Sequence, residues 1–524
     1  MSLTGLREYL QKHPDQLIGS DELCLGLAAE AEGIAKYTAT HLDERPDLVV
    51  DLSSENDAWS AFGCLWSRLA LSLHPTVKPP FESASEDSRR NLALALAKLE
   101  RNLVAGIAEH QVQAVAHEVA IREAIFNLTT FARIEDPTYF TLHAVITQLL
   151  SNIVSPLSPE DEATIAQEKL QVYLNGRRED DVIIRLLDSQ DVRTNTATLH
   201  LIANMVRGSR ARQTLCLAEP GVRWLSRILS RIDEWHETED GRFELSVDIF
   251  THYIQSGLHW DLYAKLGDTS EPITPSQTSL LKLIDSHLAN PSRPNPSPSP
   301  HAHLVVLFTN HARYALISLG SGQDDARLPK IFEGMVLVCE GLVSMGLAAQ
   351  SRADKAKASR ETSDKRQAGG DEQVVQAMKG ETALLKPLID LLAALDKFIP
   401  RVKPGTAAST NTLPPDQAAP VTLLKRLLVQ LLGILTFEDT ATGDRVRELG
   451  GVELVLGLTE VDEANPYLRE HALLTIRNLM LNNPANQAVI SQMDPVGVIS
   501  DQGEVLPLPE KMRRKKQQAA VEEI

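Results

Sequence analysis

Four asparagines are the residues whose type and spacing point most directly to recognition chemistry. Asn102, Asn152 and Asn204 follow one another at intervals of 50 and 52 residues, and Asn478 lies far downstream. A side-chain amide carries both donors and an acceptor, so a row of amides along a groove could hydrogen-bond an extended partner backbone. The alternative is local: each amide ties a helix end to the adjacent turn and satisfies buried backbone groups.

Charged residues near the C-terminus form a second candidate set. They could present a basic strip with interleaved acids to an acidic partner, or they could be an ordinary solvated face. The members are Arg445, Arg447, Glu448, Arg469, Glu470 and Arg477. The basic run at 511–516 is either a nuclear-import or acidic-surface signal or a solubilising tail.

The sequence contains no pattern that predicts catalysis or metal binding. Residues 320–322, Gly-Ser-Gly, lack the further glycine and the preceding strand of a phosphate cradle. His301 and His303 stand on a Pro-rich stretch without a third ligand, and the four cysteines form no CxxC pair. We therefore expect no catalytic residue, no metal ligand and no cofactor, and the chain is predicted not to be an enzyme.

The elements that must position these residues repeat along the chain. Ile434 aligns with Asn478 at an offset of 44 residues, and a third copy that starts from Asn204 places Gly221 opposite Gly451. A period in the low forties is typical of HEAT and armadillo arrays, whose helical units need stacked neighbours to bury their apolar faces. The sequence therefore predicts an all-α, armadillo/HEAT-like α-solenoid with disordered insertions.

The C-terminal pair of repeats allows more detailed predictions. Leucines recur from 423 to 435 on a stripe wide enough for two neighbours, which predicts an inner helix. Asp444 is expected to cap a helix ending at Leu449, and Asn465 and Asn483, each followed by Pro, are expected to start helices. The buried face of the last long helix is predicted to contain Leu468, Ala472, Leu473, Ile476, Leu479 and Met480.

Composition and charge limit the kinds of partner that we expect the protein to bind. The net charge of −18 argues against general affinity for nucleic acid or an anionic membrane, because both reward clustered Lys and Arg. The first 17 residues lack the apolar run of a signal peptide, so a cytoplasmic location without membrane insertion is expected. The 43% apolar content suffices for a continuous core, and other proteins are the predicted partners.

Composition also predicts the domain organisation. Pro-rich stretches deny backbone donors and disfavour helix, and a charged stretch without an apolar stripe cannot offset its ordering entropy. The predicted segments are N-terminal armadillo-like repeats at 1–289, a Pro/Ser-rich linker at 290–303, a repeat continuation at 304–349, a disordered insertion at 350–373, a helix at 374–399, a Pro-rich linker at 400–420, C-terminal repeats at 421–500 and a flexible tail at 501–524.

The C-terminal motifs resemble the C-terminal domain of the ataxin-10 family. The matching runs are Asp444–Gly451, Asn465–Pro466, Ile476–Leu479 and Asn482–Pro484. The resemblance implies an all-helical, armadillo-like cytosolic protein without enzymatic activity that acts as an interaction scaffold in processes such as cell division. Ile434 departs from the family pattern, in which an Asn is expected. Because of that departure, the sequence does not predict an asparagine ladder in this repeat.

Two other functions remain as alternatives to the scaffold. Some fungal members of the family carry a copper-transport label, and the long insertions between 290 and 420 suggest a fungal-type member. An indirect role in copper or metal homeostasis, without a direct metal site, is therefore the second hypothesis. A cryptic enzyme is the third, and a cleft with converging titratable groups would support it.

Overall fold

The fold is built almost entirely of α-helices. In the computed structural model of the chain, the described residues are 19–46, 58–75, 84–155, 164–176, 181–290, 301–358, 375–379, 382–399, 401–402, 415–493, 498–499 and 505–507. Among these residues the only strands are β1, Val498–Ile499, and β2, Val505–Leu506, which pair antiparallel. The all-α fold class predicted from the repeats is confirmed.

The chain divides into two compact units. The first consists of Met1–Gly267 with Pro275–Leu283, and the second of Asp268–Thr274 with Ile284–Ile524. The division falls inside one helix, Pro275–Ala289. It therefore differs from the predicted domain boundary at 289.

The first unit begins with helices α1 to α14. Their bounds are α1 Asp21–Thr40, α2 Ala58–Ser72, α3 Glu86–Val104, α4 Ala108–Val115, α5 Glu118–Leu128, α6 Phe131–Ile134, α7 Pro137–Ile153, α8 Thr164–Leu174, α9 Val182–Asp188, α10 Val192–Val206, α11 Arg210–Leu215, α12 Glu219–Glu237, α13 Arg242–Gln255 and α14 His259–Lys265, with a short 3-10 turn at Leu42–Glu44. Helix α15, Pro275–Ala289, follows.

A single row of helices forms the spine of the first unit. Helix α1 packs on α3, α3 on α7, α7 on α10, and α10 on α13, so α3, α7 and α10 each lie between two neighbours. We call these the inner helices of the unit. Other helices pack beside the row in pairs, such as α2 on α5 and α9 on α12. This successive packing is the solenoid arrangement predicted from the repeat period.

The second unit contains the remaining helices. Their bounds are α16 His301–Ser321, α17 Leu328–Ala358, α18 Thr382–Phe398, α19 Pro415–Thr436, α20 Thr440–Glu448, α21 Gly451–Gly457, α22 Leu468–Met480 and α23 Pro484–Gln492, with a helical stretch at 375–379. Here α17, α19 and α22 form the row of inner helices, because α19 packs on both of the others.

Two aligned glycines occupy the same structural position in different repeats. A Cβ at Gly221 would lie 2.1 Å from the carbonyl oxygen of Cys216. A Cβ at Gly451 would lie 2.6 Å from Cγ1 of Val446 and 3.1 Å from its carbonyl oxygen. Each glycine therefore packs against the residue five positions earlier, at the corner between two helices. Close approach of the chain, rather than a left-handed φ, requires glycine at these positions, whereas the neighbouring Gly450 has φ of 73°.

Two helices are long and apolar enough to cross a membrane by length and composition alone. They are Leu328–Arg352 within α17 and Ala419–Thr436 within α19, and 67% of each tested window is buried inside the protein. Burial of this extent is what the core helices of a packed stack require. Their length and hydropathy are therefore explained by packing.

Several predicted linker boundaries are wrong because helices extend into them. Helix α16 begins at His301, so residues 301–303 are helical and not part of a linker. Helix α17 continues through 350–358, and α19 begins at Pro415, so the ends of the two other insertions are helical as well. The rest of these stretches, at 291–300, 359–374 and 403–414, lies outside the described residues.

The predicted helix at 374–399 and the predicted tail at 501–524 also differ in part from the structure. The predicted helix at 374–399 is divided into 375–379 and Thr382–Phe398. In the predicted tail, β2 is described, whereas the basic run at 511–516 lies outside the described residues.

The predicted helix caps are partly right. Asn483 caps α23, since its side chain accepts a hydrogen bond from the Asn486 N–H at 3.0 Å. Asp444 lies inside α20, whose cap is Asp439, which accepts from the Thr442 N–H at 2.9 Å. Asn465 starts no helix, because its side chain donates instead to the carbonyl of Thr422 at 2.8 Å. A cap signal in the sequence does not reveal that a tertiary partner will use the side chain.

Replacing Gly221 tests the close approach at the helix corner. We expect Gly221→Ala to lower the unfolding free energy of the first unit by about 1–3 kcal/mol, because the added methyl group meets a backbone oxygen that cannot move alone. Urea denaturation followed by tryptophan fluorescence measures this unit, since Trp59, Trp66, Trp224, Trp235 and Trp260 all belong to it.

The matched control is Gly26→Ala, in the second turn of α1, where a Cβ would meet nothing within 4 Å. It should raise stability by about 0.5–1 kcal/mol. Equal effects of the two substitutions would contradict the packing argument.

Candidate functional site

The candidate asparagines of the first unit connect neighbouring inner helices. Nδ2 of Asn102 in α3 donates to the carbonyl of Ala35 in α1 at 2.9 Å. Nδ2 of Asn152 in α7 donates to the carbonyl of Arg101 at 3.1 Å, and Nδ2 of Asn204 in α10 donates to the carbonyl of Ser151 at 3.1 Å. We call each such bond a rung.

The rungs share one register. In α3 and α7 the acceptor is the residue directly before the asparagine of that helix, and it lies in the last turn. Carbonyls of the last turn have no partner within their own helix. Asn152 and Asn204 therefore satisfy last-turn carbonyls of the preceding inner helix. Asn102 instead reaches the carbonyl of Ala35 inside α1, which also accepts from the Thr38 hydroxyl at 3.1 Å.

The second unit contains one rung of the same kind. Nδ2 of Asn478 in α22 donates to the carbonyl of Gly433 in α19 at 2.9 Å, and Gly433 directly precedes Ile434. Ile434 occupies the rung position of α19 and donates nothing. Its side chain packs instead against α17, where a Cβ at Gly346 would lie 2.7 Å from Cγ2 of Ile434. In this repeat an apolar contact therefore takes the place of the hydrogen bond.

These bonds differ from the local alternative predicted for the asparagines, and binding of a partner backbone stays a prediction. The amides do not bind the adjacent turn; they bind the neighbouring helix. One N–H of each amide is therefore already hydrogen-bonded, and fewer donors remain for a partner backbone. The Oδ1 of Asn102 is also engaged, since it accepts from the Arg101 guanidinium at 3.0 Å. The structure thus gives these residues a bond within the stack.

The candidate arginines of α20 are held within the structure. Arg445 donates to the carbonyl of Lys379 at 3.3 Å, and Arg447 donates to Oδ1 of Asn486 at 2.7 Å. Arg447 also binds Asp444, and this hydrogen bond is the main reason that the pKa of the Asp444 carboxyl lies below its usual value. Both guanidinium groups therefore have structural partners.

The other charged candidates face solvent. Glu448 lies exposed at the end of α20, and Arg469, Glu470 and Arg477 lie exposed on α22. The two exposed arginines form no ion pair with any residue that the structure describes. The predicted basic strip is thus divided: its α20 arginines are engaged, and its α22 members remain available.

Large apolar side chains surround the exposed charges of α22. Leu473 and Leu474 are 49% and 50% exposed, and Tyr467 and Leu481 at the ends of the helix are 63% and 45% exposed. We call these four residues with Arg469, Glu470 and Arg477 the open face of α22. Leu473 was predicted to be buried, and that prediction is wrong. Leu468, Ala472 and Leu479 are buried as predicted.

The segment that carries the open face matches a family model. Residues 424–509, which include most of α19 and all of α20 to α23, match the model described as the spinocerebellar ataxia type 10 protein domain. This C-terminal segment carries the ataxin-10 family domain. The resemblance drawn from the C-terminal motifs is therefore confirmed.

Individual ataxin-10 relatives match short segments. An ataxin-10 homolog of Kluyveromyces lactis is 44% identical over 71 residues, which are 14% of this chain and 13% of that protein. An ataxin-10 homolog of Schizosaccharomyces pombe is 34% identical over 114 residues, or 21% of this chain and 26% of that protein. Ataxin-10 of Xenopus tropicalis is 33% identical over 93 residues, 18% of this chain and 19% of that protein.

Solved structures give only a weak likeness. A crystal structure of an engineered protein aligns with 88% of this chain and 94% of its own, at 13% identity and a TM-score of 0.32. A likeness at that score carries no argument about function. The ataxin-10 assignment therefore depends on sequence.

Sequence reasoning missed the open face of this ataxin-10 domain, although a signal was present. The position four residues before the rung position is polar in the other aligned inner helices, where it holds Lys98, Gln148, His200 and Gln430. In α22 the same position holds Leu474. Comparing repeats position by position would have identified it, whereas helical periodicity alone assigns any leucine near the stripe to the core.

Removing one rung tests its contribution to the stack. We expect Asn152→Ala to lower the unfolding free energy of the first unit by about 1–2 kcal/mol, because the Arg101 carbonyl loses its inter-helix donor. Urea denaturation followed by tryptophan fluorescence measures the change. The control Asn175→Ala, at an exposed position after α8, should stay within about 0.5 kcal/mol of the parent. A loss no larger than that of the control would refute a stabilising rung.

Proposed function

We propose that this protein with an ataxin-10 family domain is a non-enzymatic cytosolic scaffold that binds partner proteins through its helical surface. A role in cell division is part of the proposal and is motivated by the family resemblance alone. The observation that carries the proposal is the open face of α22, which exposes four large apolar side chains within the family-matched segment. Contiguous exposed apolar side chains with a polar rim are typical of protein interaction sites.

The second unit gives this surface a rigid base. The hydroxyl of Thr475 donates a hydrogen bond to the Val429 carbonyl oxygen at 3.0 Å, beside the rung from Asn478 to Gly433. Buried apolar contacts of Leu468, Ala472 and Leu479 complete the inner side of α22. A partner that binds the outer side therefore meets a helix that is already ordered, which limits the entropy cost of association.

The first unit contains a cleft that bears on the enzyme alternative. It has a volume of about 660 Å³ and is lined by residues that include Trp59, Cys64 and His117. The nearby Glu100 is fully buried and uses both carboxylate oxygens, accepting from Trp66 Nε1 at 2.7 Å and from His117 Nε2 at 2.8 Å. This arrangement supports a structural role for Glu100, joining α2, α3 and the start of α5.

A direct metal site finds no support in the described part of the chain. No group of three His, Cys, Asp or Glu side chains there could hold a metal ion. Cys24, Cys216 and Cys339 are buried, and Cys64 is exposed.

Quantitative affinity capture tests the proposal with surface variants of the full chain. We expect at least one protein to co-purify with the parent and to fall at least tenfold with Leu473→Asp/Leu474→Asp, because charge on both leucines disrupts the apolar contact. The control is Ile317→Asp, an exposed apolar position on α16 of the same unit, which should retain the partner. Circular dichroism verifies that each variant remains helical.

Point variants are better suited to this test than removal of residues 421–500. Helix α19 packs on α17, so deleting it would uncover core residues and attract proteins non-specifically. If no protein co-purifies, or if the same proteins co-purify with the parent and the double variant, the proposed surface is wrong.

A further inference from the structure

One side of every other aligned inner helix is covered by the next helix in the row. The residue directly before the rung position offers its carbonyl to the following asparagine in α3, α7 and α19. The residue four positions earlier lies one turn away on the same side. In α3, α7, α10 and α19 this residue is Ala97, Thr147, Leu199 and Val429 respectively, and each is 0% exposed.

Helix α22 presents this same side without a described neighbour. Its equivalent residues are Arg477, directly before Asn478, and Leu473, four positions earlier. Leu473 is 49% exposed, in contrast to complete burial at all four equivalent positions. Among the described residues, the row therefore ends with an uncovered site of the kind that a following helix fills elsewhere in the chain.

The composition of the open face differs from a simple end cap. A terminal repeat that only protects the stack carries a polar outer face. Here Leu474 replaces the polar residue of the other inner helices, and Tyr467 and Leu481 extend the apolar surface toward both ends of α22. The face therefore exposes more apolar surface than an unfilled repeat position alone would.

Charge identifies the chemistry of the occupant. Arg469 and Arg477 on α22 form no ion pair with a described residue, and Arg426 of α19 lies over the Tyr467 ring at 5.9 Å. Glu470 is the acidic residue of the open face. The surroundings of the exposed leucines are thus mainly basic, and an occupant that buries them must supply carboxylates near the guanidinium groups.

We propose that the open face of α22 binds an amphipathic helix of another protein, with an apolar stripe that covers Leu473 and Leu474 and acidic residues that pair with Arg477 and Arg469. This inference rests on the proposed scaffold function and specifies its partner. The incoming helix takes the place that the following inner helix takes in the earlier repeats. A second copy of this chain cannot continue the row with its own α22, because its Asn478 already binds Gly433.

Site-specific photo-crosslinking tests the occupant in the full chain. The variant Leu474→p-benzoylphenylalanine is irradiated in an extract of the source cells, and crosslinked peptides are identified by mass spectrometry. The matched control is Val306→p-benzoylphenylalanine, at an exposed apolar position of α16 in the same unit. We expect position 474 to crosslink one segment of a different protein at least tenfold more than position 306. That segment should combine helical apolar spacing with acidic residues.

Charge reversal then tests the pairing with a synthetic peptide of the crosslinked segment. We expect Arg477→Glu to weaken binding of this peptide at least tenfold, and an acid→Lys change in the peptide to restore it. Crosslinks to residues 508–524 of the same chain or to a second copy would overturn the inference. So would equal yields at positions 474 and 306, or affinity that Arg477→Glu leaves unchanged.

The two proposals fail in different ways. If capture finds a partner that depends on Leu473 and Leu474, but the crosslinked segment is non-helical or charge reversal has no effect, the scaffold stands and the acidic-helix inference fails. If capture finds no such partner, the proposed function fails and the inference fails with it.

Discussion

Burial of one helix side by the next helix is the constraint on which the structure depends. A helix pair in such a row cannot cover its own apolar stripe, so each unit borrows cover from its neighbours. The rungs from Asn102, Asn152, Asn204 and Asn478 occur in these same contacts, and each donates a hydrogen bond to a backbone carbonyl of the preceding inner helix. Apolar cover and carbonyl satisfaction are therefore achieved by a single geometry, repeated in register.

The one aligned position that holds Ile434 instead of asparagine shows how that geometry is maintained. Ile434 lacks an amide, yet α19 still packs closely on α17 because Gly346 leaves room for its branched side chain. The carbonyl before it, at Gly433, still accepts the next asparagine. A repeat can therefore exchange its own donor for an apolar contact without removing the acceptor that its successor needs.

Much of this arrangement could be predicted from the sequence, for identifiable reasons. The 44-residue offset and the alignment of Gly221 with Gly451 reflect geometry that the aligned repeats share, so local residues carry the information. The positions of helix ends in Pro-rich and charged stretches were not predictable, as the helical residues at 301–303, 350–358 and 415–420 demonstrate. The exposure of Leu473 was missed because periodicity gives a stripe but not whether a neighbour covers it. This leucine differs from Val429 because no further inner helix among the described residues packs on its side of α22.

The accessibility of Leu473 in the full chain tests the account most directly. Single cysteines would replace Leu473 and Val429 in a Cys64→Ser background, which removes the exposed native thiol, and labelling rates would be measured by peptide mass spectrometry. The account predicts that Cys at 473 reacts like an exposed thiol, whereas Cys at 429 is protected at least a hundredfold. Equal protection at both positions would mean that the end of the row is already covered, and the open face would not exist.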